Sequence, residues 1–340
     1  MATIYAGLRS AKEGGAGGLY RRNGGGKWER TLDQDTQAIT LDPRDPNVVL
    51  AGTVGGPYRS TDGGRTWKRC GFPDDGVQIW SLTFDPSDPR TVYAGGSPVS
   101  VYRSEDGGET FKRVARPVLP EHVKMSFPCR VMRIAAAPGK RGELFAALEV
   151  GGAMRSANGG ESWQDCAEDL TRFASLPHLK SRIVSDSEAE GILDGHAIAT
   201  SAAEPGRVYL AVRMGLFISD DAGRTWQNLE VGKYSPQTYG RDLRVSPHDP
   251  NVMYACLSPA FTSGTGSLWR SDDAGRSWRR FDKVMPANTA MSVALHPADP
   301  KQVCFTAKTG GVFATTDGGE SWQTIPYPDG AGDAYALACR

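Results

Sequence analysis

The side chains best suited to chemistry cluster on a few short alternating segments. Arg133 lies in Val131-Met-Arg-Ile-Ala-Ala136, and Asp242 and Arg244 lie in Tyr239-Gly-Arg-Asp-Leu-Arg-Val245. In five comparable segments the matching positions hold only Ala, Ser or Thr: Ala38/Thr40, Ser81/Thr83, Ala197/Ala199, Ser292/Ala294 and Ala336/Ala338. Three charges among such residues are costly to bury unless they meet one another or a ligand. They read either as an internal Arg–Asp pair filling space, or as a guanidinium-lined cup for a carboxylate or phosphate in which Asp242 orients one arginine. One residue earlier on the same segments come Gln37, Trp80, Met132, His196, Arg241, Met291 and Tyr335. His196 follows Asp194 by two residues, the pairing of a proton-moving imidazole with a carboxylate, so His196, Asp194 and Asp242 are the catalytic candidates. Arg133, Arg244, Arg241, Trp80, Tyr239 and His178 are the candidates for holding a ligand. His122, His178 and His196 form a conceivable divalent-metal set, but no H-x-H or H-E-x-x-H spacing supports it, and no metal or other cofactor is expected.

These segments need elements to position them, and the chain supplies them by repetition. Ser60-Thr-Asp-Gly-Gly-Arg-Thr-Trp67 recurs with its Asp or Asn at Asp62, Asp106, Asn158, Asp221, Asp273 and Asp317, and a worn copy closes at Trp28. The Asp side chain accepts hydrogen bonds from its own loop, the glycines take φ > 0, and the closing aromatic ring packs beside the turn. Each copy is therefore a hairpin turn, and seven equivalent copies suit a scaffold better than a catalytic or calcium site. Upstream lie Pro turns such as Asp42-Pro-Arg-Asp-Pro46 and His296-Pro-Ala-Asp-Pro300, each followed by a β-rich run. One unit thus reads as four antiparallel strands. The closing aromatics stand 39, 44, 52, 63, 52 and 44 residues apart. Thr3-Ile-Tyr-Ala-Gly7 lacks an upstream inner strand and Ala334–Cys339 is an inner strand without followers, so the two ends are expected to share one unit.

The eight-residue turn resembles the Asp-box, or BNR, repeat, and the resemblance covers almost the whole chain. It implies an all-β, seven-bladed β-propeller over residues 1–340, with the seventh blade built from 334–340 plus 1–32. It also implies that functional groups surround the central shaft on the face opposite the Asp-box turns. Residues 115–129 and 167–195 are insertions on that functional face, and the second, carrying Arg172, His178, Lys180 and Arg182, is expected to form a partly helical lid. Residues 230–239 add Tyr234 and Tyr239 to the same rim.

Thirty-nine basic and thirty-nine acidic residues cancel, which removes the positive field that bulk nucleic-acid or anionic-membrane binding requires. No stretch is apolar enough to span a bilayer, and the six cysteines show no C-x-x-C spacing and read as small buried hydrophobes. The start shows no basic-then-apolar leader pattern, from which a cytoplasmic location is expected. Relatives with this repeat include sialidases and other glycoside hydrolases, sortilin-type receptors and photosystem II assembly factors. The chain departs from the sialidases in lacking an Arg-Ile-Pro motif and in having a seventh copy. The expected function is a glycosidase-like hydrolase or lyase acting on a small anionic or sugar-like ligand at the shaft mouth. The alternative is a non-catalytic scaffold or assembly factor that binds a protein partner.

Overall fold

A computed structural model describes residues 2–11, 14–119, 125–184 and 187–340. Their strands form seven four-stranded antiparallel sheets, arranged as the blades of a propeller. The inner strands of blades one to seven are Thr36–Leu41, Gln78–Asp85, Val131–Ala136, Gly195–Thr200, Tyr239–Val245, Ala290–Leu295 and Asp333–Cys339. The seventh blade joins the two ends of the sequence: Asp333–Cys339 pairs with Thr3–Arg9, from Ile4 opposite Cys339 to Arg9 opposite Asp333. Thr3 and Arg340 exchange backbone hydrogen bonds at 2.8 and 3.0 Å beyond that ladder.

The hydrophobic core of the described residues divides into seven clusters, one at each junction between adjacent blades. Each sheet therefore buries both faces against its neighbours, and the burial that stabilises the ring is shared around it. Near the axis the blades converge and room is short. A Cβ on Gly52 would stand 2.7 Å from the Ile79 carbonyl oxygen of the next blade, so only hydrogen fits there. The small residues of the inner strands answer the same constraint. Ala38 packs into the junction with blade two and Ala197 and Ala199 into that with blade five, while Ile39 turns the other way, toward blade seven.

The repeated octapeptides form turns held by one carboxylate. Asp62 accepts from the backbone N–H groups of Arg65 and Thr66, from the Thr66 hydroxyl at 2.6 Å and from the Ser60 hydroxyl at 2.8 Å. Burial pushes that carboxyl up, but the hydrogen bonds from Thr66, Ser60 and Arg65 outweigh it and hold it well below the usual carboxylate range. Asp106, Asp221, Asp273 and Asp317 repeat the pattern, and Asn158 substitutes its amide. In each of these six blades an N–H of the octapeptide donates to the Pro-turn region of the same blade, as Gly63 does to Asn47 and Ala274 does to Asn251. Octapeptide and Pro turns therefore share one face of the propeller, called here the lower face.

Candidate functional site

On the opposite, upper face the inner strands share an irregularity that no alternation rule anticipates. In blades one to six the pairing of the inner strand slips by one residue at Gln37, Trp80, Met132, His196, Arg241 and Met291, and in blade seven it slips at Tyr335. A β-bulge leaves one residue unpaired and re-aims its side chain. Here all seven are re-aimed to the same place: together with Arg133 they line a cavity of about 20 Å³ at the upper mouth of the shaft. That volume admits a single water-sized group. The seven side chains thus close the shaft.

Several polar atoms in this plug have no partner. Gln37 Nε2 and Oε1, Trp80 Nε1 and Arg241 Nε are buried without a hydrogen bond among the described residues, and so is Glu149 Oε2 beside them. Buried polar groups are almost always satisfied, so such a concentration calls for a bound water or a ligand group. Arginines pack on the aromatic rings of this plug. Arg130 stacks over Trp80 at 4.3 Å, Arg9 stands over Trp80 at 4.8 Å and Tyr335 at 5.6 Å, and Arg241 lies 5.8 Å from the Tyr335 ring. Cation–π contact orients these guanidiniums while leaving their edge donors for other partners.

The carboxylates of this face sit in opposed environments. Asp194 is buried and receives His196 Nε2 at 3.3 Å and Arg213 Nε at 3.1 Å. Burial works against its ionisation, but the charges and hydrogen bonds of His196 and Arg213 bring its carboxyl down to about 2. Glu149 pairs with Arg130 at 2.9 Å, yet burial pushes it up to about 7, with Arg130 opposing and Asp194 adding to the rise. Val150, next to it, is held at φ +52°, a strained conformation for a β-branched residue. His196 Nδ1 donates to the Gly240 carbonyl at 2.7 Å, which fixes that proton, and its ring packs on Tyr239 at 4.9 Å.

Asp242 lies deeper and is saturated. Oδ1 accepts from Arg133 Nη2 at 3.0 Å and the Leu243 N–H at 3.0 Å; Oδ2 accepts from Ser292 Oγ at 2.9 Å, the Val293 N–H at 3.1 Å and Arg244 Nε at 3.4 Å. It does for the inner strand of blade six what Ser81 does for blade three, where Ser81 Oγ accepts the Ile134 N–H at 2.8 Å. Burial pushes the Asp242 carboxyl up, and Arg244, Arg133 and the Val293 and Ser292 hydrogen bonds hold it below its ordinary value. Burial and the Arg244 charge lower Arg133 to about 10, so it stays cationic at neutral pH. Five donors leave Asp242 no free lone pair with which to take a substrate proton; geometrically it ties Arg133 to Arg244.

The structure therefore brings together Trp80, Arg133, His196 and Arg241 around one cavity, with Asp194 and Tyr239 directly behind His196. Arg244 lies below Asp242 and faces the lower end of the shaft. His178 is exposed in the short turn Pro177–Leu179 and does not line the mouth, and His122 lies outside the described residues. Among the described residues no three His, Cys, Asp or Glu side chains meet in a metal-binding group, and all six cysteines are free and buried. The helical turns of the 167–195 insertion bury Leu170, Phe173, Leu179, Ile192 and Leu193 against blades three and four, and among its described residues Asp194, at its end, reaches His196 at the mouth. Tyr234 packs on Trp269, away from the cavity. Arg9, Arg130, Arg213 and Glu149 complete the site without having been singled out in the sequence. Glu149 and Arg213 each follow directly on the second strand of their blade, after Leu148 and Val212, so equivalent hairpin turns are where a sequence signal for them lies.

Comparison with known proteins places this fold. A xyloglucanase of Paenibacillus sp. is 32% identical over 152 residues, 40% of this chain and 13% of that protein. The xyloglucanase Xgh74A of Acetivibrio thermocellus is 26% identical over 154 residues, 41% of this chain and 16% of that protein. The matched region thus spans less than a fifth of these curated relatives. Among solved structures, the GH74 xyloglucanase of Xanthomonas campestris matches with a TM-score of 0.63 and 21% identity over 85% of this chain and 45% of its own. YCF48 bound to D1 peptide matches with a TM-score of 0.54 and 16% identity over 86% of this chain and 83% of its own. These likenesses are of fold. The family described as sortilin, neurotensin receptor 3, matches residues 56–193 and 266–337, more than half of the sequence, and the chain belongs to this Sortilin-Vps10 family.

Proposed function

We propose that the upper shaft mouth is a recognition site for a carboxylate carried by a larger partner, a peptide or an acidic sugar chain, and that the propeller acts as a binding module. The observation that carries this reading is the group of buried, unpartnered polar atoms on Gln37, Trp80 and Arg241 around a cavity of about 20 Å³. Three of the four atoms are donors and one donor is cationic, which suits an oxyanion. A whole sugar ring does not fit the volume, whereas one carboxylate oxygen does, with the rest of the partner lying across Arg9 and Arg130. The likeness to YCF48, solved with a peptide, extends over most of both chains, whereas the xyloglucanase structure is matched over less than half its length, which also supports a binding role.

A second reading has its own observation. Two neighbouring carboxyls driven apart, Glu149 to about 7 and Asp194 to about 2, are the pairing a hydrolase uses for general acid and ionised partner. One set of experiments separates the two. Titration with N-acetylglycine should shift the Trp80 indole N–H resonance, the amide of the same compound should not, and Arg241→Gln should weaken the response roughly ten-fold, as expected on losing a charge-assisted hydrogen bond. An unmoved Trp80 signal refutes the binding reading. Release of reducing ends from xyloglucan oligosaccharides by the wild type, lost in Glu149→Gln, would establish the hydrolase instead.

A further inference from the structure

The larger opening lies at the other end of the shaft. On the lower face the ends of the inner strands of blades five, six, seven and one diverge around a cavity of about 790 Å³. That lies within the range of about 300–1,000 Å³ typical of small-molecule sites. Its wall is aliphatic, with Ile39, Leu41, Val245, Leu295 and Leu337, and small Thr40, Ala294 and Ala338 leave the room. The repeat resemblance directs attention to the opposite face.

Arg244 is the charged group at the shaft side of this cavity, which Asp42, His296 and Arg340 also line. Its Nε is held by Asp242 Oδ2 at 3.4 Å, and neither Nη has a hydrogen-bond partner among the described residues. Asp242 is shared with Arg133, so two guanidiniums stand against one carboxylate and the group carries a net positive charge. Among the described residues the acidic side chain lining the cavity is Asp42, which is engaged by Arg44 at 2.6 Å and leaves that charge unanswered. An apolar wall lowers the local dielectric and strengthens any ion pair formed there.

We propose that the lower mouth binds an amphiphilic anion, a carboxylate on a hydrocarbon or aromatic body. The carboxylate takes the two Nη donors of Arg244 side by side, and the body lies along the wall from Val245 through Leu295 to Leu337. The site shares no lining residue with the upper mouth, so it stands or falls independently of the function proposed there.

Isothermal titration with octanoate tests it, with 1-octanol as the uncharged body. Octanoate should bind with one-to-one stoichiometry and at least roughly ten-fold more tightly than 1-octanol, the difference a charge-assisted pair supplies. Arg244→Gln should reduce the octanoate preference to that of the alcohol. Thr40→Trp, which fills the cavity from a partly exposed position, should abolish binding of both while the protein still melts cooperatively. Absence of saturable octanoate binding into the millimolar range overturns the proposal, as does equal affinity for acid and alcohol in the wild type. Octanoate binding that persists in Thr40→Trp places the ligand elsewhere and overturns it too. The acid–alcohol comparison needs no variant, so a poorly folding Arg244→Gln leaves the test decisive. A null result here, with the Trp80 resonance still responding to N-acetylglycine, removes the lower site and leaves the upper reading standing.

Discussion

Replacing Asp242 by Asn should unfasten the middle of the shaft. The carboxylate receives five donors, two of them guanidiniums, and is 1% exposed. The amide keeps the volume but removes the charge, and its NH₂ end meets donors where an acceptor was. Arg133 and Arg244 are then left as like charges around an uncharged group. Breaking a buried ion pair in this one-sided way costs about 3–5 kcal/mol. With an unfolding entropy of about 2.1 cal/mol/K per residue, a chain of 340 residues loses about 4–7 °C of melting temperature for that cost. Differential scanning calorimetry at neutral pH measures it. The pH dependence adds a second constraint. The native-state pKa of Asp242 is depressed, so its stabilisation is complete above the unfolded value of 3.8 and fades as pH falls through the lower native value. The gap between wild type and Asp242→Asn should therefore be constant from neutral pH down to that range and close below it. Adding Arg133→Leu to Asp242→Asn should recover part of the loss, because one unpaired guanidinium is gone. A variant melting within about a degree of the wild type would refute the idea that the Asp242 carboxylate holds both arginines in place.

Further expectations follow from other parts of the molecule. Glu149 has a native pKa near 7, above its unfolded value of 4.5, so its ionisation opposes folding: stability should fall as pH rises between those values and level off above, by at most about 3 kcal/mol, and Glu149→Gln should flatten that limb in urea titrations at several pH values. Ala222 and Ala274 occupy the left-handed position of their octapeptide turns, at φ +60° and +56°, where the other strong copies have Gly; Ala222→Gly and Ala274→Gly should each raise stability by about 0.5–1 kcal/mol, and a fall in denaturant midpoint would count against it. Deleting residues 334–340 removes nearly the whole inner strand of blade seven with its buried Leu337 and Cys339, and should abolish the single cooperative melting transition; an unchanged transition would mean that this strand does not close the ring.

Much of the architecture is legible in local chemistry. Asp62 and its counterparts specify a turn within eight residues, because donors and acceptor are neighbours in the chain, and seven spaced copies make a ring of seven sheets without any long-range information. The unmatched strands at Thr3–Arg9 and Asp333–Cys339 announce their own pairing, since each lacks what the other provides. The charges at Arg133, Asp242 and Arg244 stand out against Ala, Ser and Thr for the same reason.

Arg244 meets Asp242 two residues away, but the contacts of Asp242 with Arg133, Ser292 and Val293 lie 109, 50 and 51 residues apart, and no local pattern contains them. A simple alternation puts Arg133 and Arg244 on one wall of one cup; the fold instead hangs both on Asp242 and faces them toward opposite ends of the shaft. The seven bulges matter most. A one-residue slip in pairing shows in neither composition nor spacing, because it depends on how each inner strand meets its partner, yet it turns Gln37, Trp80, His196, Arg241 and Tyr335 from separate strand residues into one mouth. Arg9 joins that mouth from the end of the strand Thr3–Arg9, and Arg130 and Glu149 join it from loops; their positions are set only when the blades close into a circle. Turn and strand are short-range hydrogen bonding, which residue order encodes directly, whereas the site is the convergence of seven sheets on one axis and exists only in three dimensions.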